Sequence, residues 1–152
     1  MTFENRKLLA LAIFFAVAHE PPVFARANSI SSGSKAETEN YVTEIAPVGA
    51  YKAGAEGLAK ITLVAKGAYH INDKYPYKFK TPTPPPEGLT YPKPVLARAD
   101  GAFEATRATF QLPFVAAKTG KATVGGTLFL SVCSEANCLV EKVPLEIAVE
   151  IK

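Results

Sequence analysis

Hydrophobic and polar residues alternate most clearly at the end of the chain. In PLEIAVEIK, Leu145, Ile147, Val149 and Ile151 alternate with Glu146, Ala148, Glu150 and Lys152. That is the period of a strand with one face in a core and the other toward water. AKITLVA (59 to 65) sets Ile61, Leu63 and Ala65 on one face, and TFQLPFV (109 to 115) does the same with Phe110, Leu112 and Phe114. No stretch sustains helical periodicity, although the Ala-rich GAYKAGAEGLAK (49 to 60) suits a single helical turn. Residues 28 to 40, NSISSGSKAETEN, have almost nothing to bury and read as a flexible leader, which places the folded domain at 41 to 152. Seven of the 12 prolines fall between Pro76 and Pro94. Proline cannot donate to a central ladder, so this stretch reads as a long connection or a sheet edge, partly polyproline II. Six to eight short strands with turn signals between them predict an all-β domain, an antiparallel sandwich in preference to a barrel.

The N-terminus sets the compartment. Arg6 and Lys7 precede an apolar run at residues 8 to 18, and Ala25-Arg26-Ala27 follows as a small-residue cleavage motif. The run is well short of the roughly 20 residues needed to cross a membrane, so 1 to 27 read as a secretory signal cleaved after Ala27. A periplasmic or secreted location follows, and with it an oxidising environment in which a disulfide persists. The 17 basic and 14 acidic residues become 14 and 12 once Arg6, Lys7, Arg26, Glu4 and Glu20 are removed. Such a balance, with the basic residues scattered, gives no footprint for nucleic acid.

The residue inventory narrows the chemistry further. His19 leaves with the signal, so His70 is the only histidine of the mature chain, and Met1 is the only methionine. A zinc site would need Cys133, Cys138, His70 and a carboxylate, with the cysteines at the outer limit of paired-ligand spacing. A Met-rich or His-rich copper carrier has no ligands to use. There is no Gly-x-Ser-x-Gly elbow for a serine nucleophile and no phosphate-binding glycine loop. Gly120, Gly125 and Gly126 read as a turn and a strand kink. Neither a metal nor a cofactor is expected, and His70 in AYHIND suits a partly buried polar residue at a strand end.

The cysteine pair in SVCSEANCLVEK (131 to 142) remains. TLFLSV leads into Cys133, Ser134 and Asn137 are turn formers, and CLV begins a return strand, so the cysteines bracket a four-residue hairpin loop. Directly opposed residues of an antiparallel pair have Cα atoms ~4.5–5.5 Å apart, within reach of a disulfide. A loop this short gives a bridge about 2 kcal/mol, against about 3 for a 15-residue loop. It ties neither the proline-rich stretch nor the N-terminal strands to the core. At a hairpin tip, however, the sulfurs are open to an attacking thiolate. Placement alone leaves staple and exchange pair both open.

GAYHINDKYPYKFK (67 to 80), the strand into SVCSEANC and the closing CLVEKVPLEIAVEI together resemble the N-terminal periplasmic domain of the thiol:disulfide interchange protein DsbD family. The resemblance spans about residues 41 to 152 and is carried mainly by Cys133, Cys138 and their flanks. It implies an immunoglobulin-like β-sandwich and a thiol:disulfide oxidoreductase activity. Cys133 and Cys138 would accept electrons from a membrane electron-transfer protein and pass them to periplasmic thiol oxidoreductases. It also implies aromatic and acidic residues around the pair: Tyr69, His70, Tyr75 and Tyr77 as candidate cover or tuning residues, with Glu135 as a candidate tuner. A carboxylate beside a thiol raises its pKa, so Glu135 also reads as a solvated turn charge. Val140-Glu141 stands where the family often has a proline pair. Members usually continue into a membrane domain and a thioredoxin-like domain, so the end at Lys152 implies a free-standing module with a separate electron donor, and a monomer is expected. The competing reading is a non-enzymatic secreted β-sandwich that binds a protein through its proline-rich edge and keeps a structural disulfide.

Overall fold

The computed structural model describes residues 34–152. The apolar run, the cleavage motif and residues 28–33 of the leader lie outside the described residues. The strands are β1 (Lys35–Glu37), β2 (Tyr41–Val48), β3 (Glu56–Ala65), β4 (His70–Ile71), β5 (Lys78–Lys80), β6 (Leu89–Thr90), β7 (Val95–Ala97), β8 (Gly101–Phe103), β9 (Arg107–Ala116), β10 (Gly120–Cys133) and β11 (Cys138–Ile151). A turn of 3-10 helix, Arg98–Asp100, joins β7 to β8. One antiparallel sheet runs β1-β2-β3-β9, with β6 and β8 along the far edge of β9; the other runs β11-β10-β5-β7, with β4 also on β10. The two sheets pack face to face, and the fold is the all-β sandwich expected from the alternation. The strands outnumber the expected six to eight because β4 and β6 are two residues long and β1, β5, β7 and β8 three. Pieces that short carry no period-2 signal.

The registers explain the core. Ile61 lies opposite Ile45 and Phe110, and Leu63 opposite Thr43 and Ala108, so the buried residues of β2, β3 and β9 share one face. Val124, Leu128, Leu130 and Val132 of β10 pair with Ile147, Val143, Glu141 and Leu139 of β11 and face the first sheet. Tyr41 ties the layers together: its buried ring lies on β2, and its hydroxyl donates to the Glu141 carboxylate on β11. Burial and that acceptor together hold the Tyr41 hydroxyl pKa well above the usual tyrosine value.

Two segments depart from the sequence reading. Lys35–Glu37, inside the segment read as leader, pairs with β2 from Lys35↔Glu44 to Glu37↔Val42. Its side chains carry little hydrophobic signal, and main-chain pairing holds it. The turn beyond is closed by the Thr38 hydroxyl, which accepts from the Asn40 and Tyr41 N–H groups at 3.2 and 3.1 Å. In GAYKAGAEGLAK there is no helical turn. Ala55 N–H closes a reverse turn onto the Lys52 carbonyl at 3.2 Å, and β3 begins at Glu56. Tyr51 decides this. Its ring is buried 4.9 Å from Phe114, and its hydroxyl accepts from Val48 N–H and donates to the Leu58 carbonyl, both at 2.8 Å. A Cβ on Gly57 would lie 2.5 Å from that ring, so glycine is needed there despite the helix preference of its alanine neighbours.

The proline-rich stretch serves both sheets. From β5 in the second sheet it crosses to β6 on the edge of the first and returns to β7, with a cis bond at Thr83-Pro84. Tyr91 anchors it by accepting from Gly125 N–H of β10 at 3.3 Å.

Candidate functional site at the hairpin tip

β10 and β11 pair along their whole 14-residue length, from Gly120↔Ile151 to Cys133↔Cys138. The cysteines form a disulfide with Cα atoms 4.0 Å apart. Hydrogen bonding runs one pair further, because Ser134 N–H donates to the Asn137 carbonyl at 2.8 Å. The true apex is therefore Glu135–Ala136. A cysteine pair next to a hydrogen-bonded pair occupies a non-hydrogen-bonded position, where opposed residues come closest. The Ser134 hydroxyl stabilises the apex by accepting from the Ala136 and Asn137 N–H groups at 3.2 and 3.3 Å.

Alternation fixes which way the sulfurs point. Leu128, Leu130 and Val132 face the core, so Phe129, Ser131 and Cys133 face outward from the second sheet, as do Cys138, Val140 and Lys142 in register with them. On the other side of Cys133, β4 places His70 directly opposite. His70, Cys133 and Cys138 thus form one row on the outer face. The two cysteines are unequal: Cys133, in the middle of the row, is 6% exposed, whereas Cys138 is exposed.

The other candidates take different places. The partly buried Tyr69 reaches the apex, its hydroxyl donating to the Asn137 Oδ1 at 3.0 Å. Tyr75 packs edge-on against Tyr77, with ring centroids 5.1 Å apart. Tyr77 lies inside, its ring tilted against Phe103 with centroids 5.0 Å apart, and supports β10 from beneath. Glu135 is exposed at the apex. The structure therefore brings Tyr69, His70 and Glu135 around the cysteine hairpin and puts Tyr75 and Tyr77 behind it.

Asn72 and Ser131 are part of this support and carried no signal in the sequence. β5 pairs with β10 as far as Phe129 and β4 resumes at Val132, which leaves a gap on that edge at Leu130 and Ser131. Asn72 N–H donates to the Ser131 carbonyl at 3.2 Å and to the Tyr77 hydroxyl at 2.9 Å. The Tyr77 hydroxyl donates to the same carbonyl, and Asn72 Nδ2 to the Ser131 hydroxyl at 3.2 Å. A buried main-chain carbonyl that would otherwise lack a partner is satisfied, and β10 is held straight two residues before Cys133. Burial pushes the Tyr77 hydroxyl pKa up to about 12.

The site lies on the outer face of β4, β10 and β11. A depression of about 340 Å³, lined by Pro86–Leu89 and Lys121–Thr123, lies at the opposite end of β10. Among the described residues no group of three His, Cys, Asp or Glu side chains is placed to hold a metal. A scan against models of protein families and a search of curated proteins find no match to the chain.

Proposed function

We propose that the domain is a thiol-disulfide exchange module of the DsbD N-terminal type, which passes reducing equivalents from a membrane electron donor to periplasmic thiol oxidoreductases through Cys133 and Cys138. The observation that carries this is the position of the disulfide. It closes the end of a hairpin already paired along 14 residues, and it presents one exposed sulfur outward. The resemblance of the hairpin and its flanks to that family supports the same reading.

The exposure difference supports the following order of events. A donor thiolate attacks the Sγ of Cys138, a bond forms between them, and the Cys133–Cys138 bond breaks with Cys133 leaving as thiolate. Cys133 takes a proton from solvent. The donor's second thiolate then attacks the donor sulfur of the mixed disulfide and releases Cys138 as a thiolate, which takes a second proton from solvent. The donor is oxidised to its disulfide, and the domain gains two electrons and two protons. Delivery to an oxidised acceptor reverses these steps, with Cys138 attacking and Cys133 resolving. His70 lies opposite Cys133 in the β4–β10 register, on the same face as the leaving sulfur.

Covalent coupling tests this. A thioredoxin-fold oxidoreductase with one cysteine, activated as a thionitrobenzoate mixed disulfide, is offered to each single-cysteine variant. Cys133→Ala, which keeps Cys138, couples rapidly, and Cys138→Ala couples at least about tenfold more slowly because its thiol is buried. Coupling by Cys133→Ala no faster than by Cys138→Ala contradicts the mechanism.

One observation favours the structural reading, in which the domain is a binding module: Cys133 is buried, as inert cysteines are. Its binding edge would be the apolar depression of about 260 Å³ along Pro82, Pro85, Tyr91 and Pro94.

A further inference from the structure

The outer face that carries the disulfide also carries a cluster of positive charge. Phe129, four residues before Cys133 on β10, is in register with Lys78 of β5 and Lys142 of β11. The ammonium groups of Lys78, Lys80 and Lys142 lie 5.0, 5.6 and 5.4 Å from the centre of its ring. The ion pairs found among the described residues, Lys35–Glu37, Lys66–Glu37 and Lys93–Asp100, involve none of the three. Three like charges therefore converge on one aromatic ring, whose face attracts cations but neutralises none of them.

Exposed apolar side chains border the cluster. Val140 lies between Cys138 and Lys142 on the same face and is 63% exposed, and Val95, in register with Lys80, is 44% exposed; these are the two most exposed large hydrophobic residues described. Along a strand, the four residues from Cys138 to Lys142 span about 13 Å. A protein partner of ordinary size covers about 800 Å² of each surface, enough to take in the disulfide, Val140 and the lysines together.

We propose that this face docks an acidic protein surface flanking the thiols that exchange with Cys138. The cluster's three positive charges call for carboxylates, and its distance from Cys138 lets them bind while a partner thiolate attacks. The inference rests on the exchange function proposed above and specifies the partner's chemistry.

Two Cys-x-x-Cys dithiol peptides, one flanked by glutamates and one by lysines, serve as probes for reduction of the oxidised domain. At low salt the glutamate peptide reacts about tenfold faster or more, and the preference shrinks as salt rises, as electrostatic steering requires. Reversing the charges with Lys78→Glu, Lys80→Glu and Lys142→Glu inverts the ratio. Because each protein is read as a ratio between peptides, a general loss of reactivity does not mimic the effect, and the salt dependence of the unaltered domain tests the idea without any variant. Equal rates for the two peptides, or a preference that survives charge reversal, overturn acidic docking alone. If neither peptide reduces the folded domain, both the docking and the exchange function fall.

Discussion

Tyr77 shows how much one hydroxyl does behind the site. It donates to the Ser131 carbonyl, accepts from Asn72 N–H, and is buried in a row of rings with Tyr75 and Phe103. Tyr77→Phe keeps the ring and leaves Asn72 N–H to the Ser131 carbonyl alone. The expected cost is about 1–3 kcal/mol in urea unfolding; a cost near zero would show that the gap in β10 needs no such support. The same hydroxyl has a pH signature. Its pKa is raised to about 12, whereas an unfolded tyrosine ionises near 10. Below pH 10 its contribution is whole. Between about 10 and 12 the unfolded chain binds fewer protons than the folded one, so stability falls as pH rises. Tyr77→Phe makes that decline shallower, while Tyr41 and Tyr91, also raised by burial, keep it from vanishing.

At the scale of elements, the β10–β11 hairpin makes its own disulfide nearly dispensable for folding. Thirteen cross-strand pairs precede Cys133↔Cys138, and Ser134–Asn137 pairing follows. Reduction should cost only about 2 kcal/mol of stability, measured as a shift in the urea midpoint between oxidised and reduced forms. Unfolding of the reduced domain would instead mark the bond as a staple. This hairpin was the most legible part of the sequence. Long alternating runs set both faces of β11, and SEAN between the cysteines carries turn formers. β4 was legible only in part: His70 does stand at a strand end, but it is exposed and not partly buried, because His70–Ile71 is a two-residue strand on an edge that β10 leaves open. The row of His70, Cys133 and Cys138 is a product of register between segments some 60 residues apart, which no local pattern encodes. The same holds for the lysines around Phe129: KFK and VEK look like scattered charge until β5 and β11 flank β10.

In the whole molecule, the sandwich carries the hairpin along its length, and β4 and Tyr69 flank its tip. The proline-rich stretch, which reads as an edge, does run along both sheets, and Tyr91 pins it near Gly125, at the end of β10 far from the cysteines. The disulfide and the proline-rich connection are thus kept at opposite ends of the second sheet. The chain can serve as a relay only if its disulfide equilibrates with physiological thiols while the sandwich stays folded. The reduction potential of Cys133–Cys138, obtained by equilibrating residues 28–152 in glutathione buffers of graded ratio, decides this most directly. The account predicts a midpoint above about −300 mV with the β-sheet signature unchanged on reduction; a bond that resists every glutathione ratio and opens only to strong dithiol would contradict it.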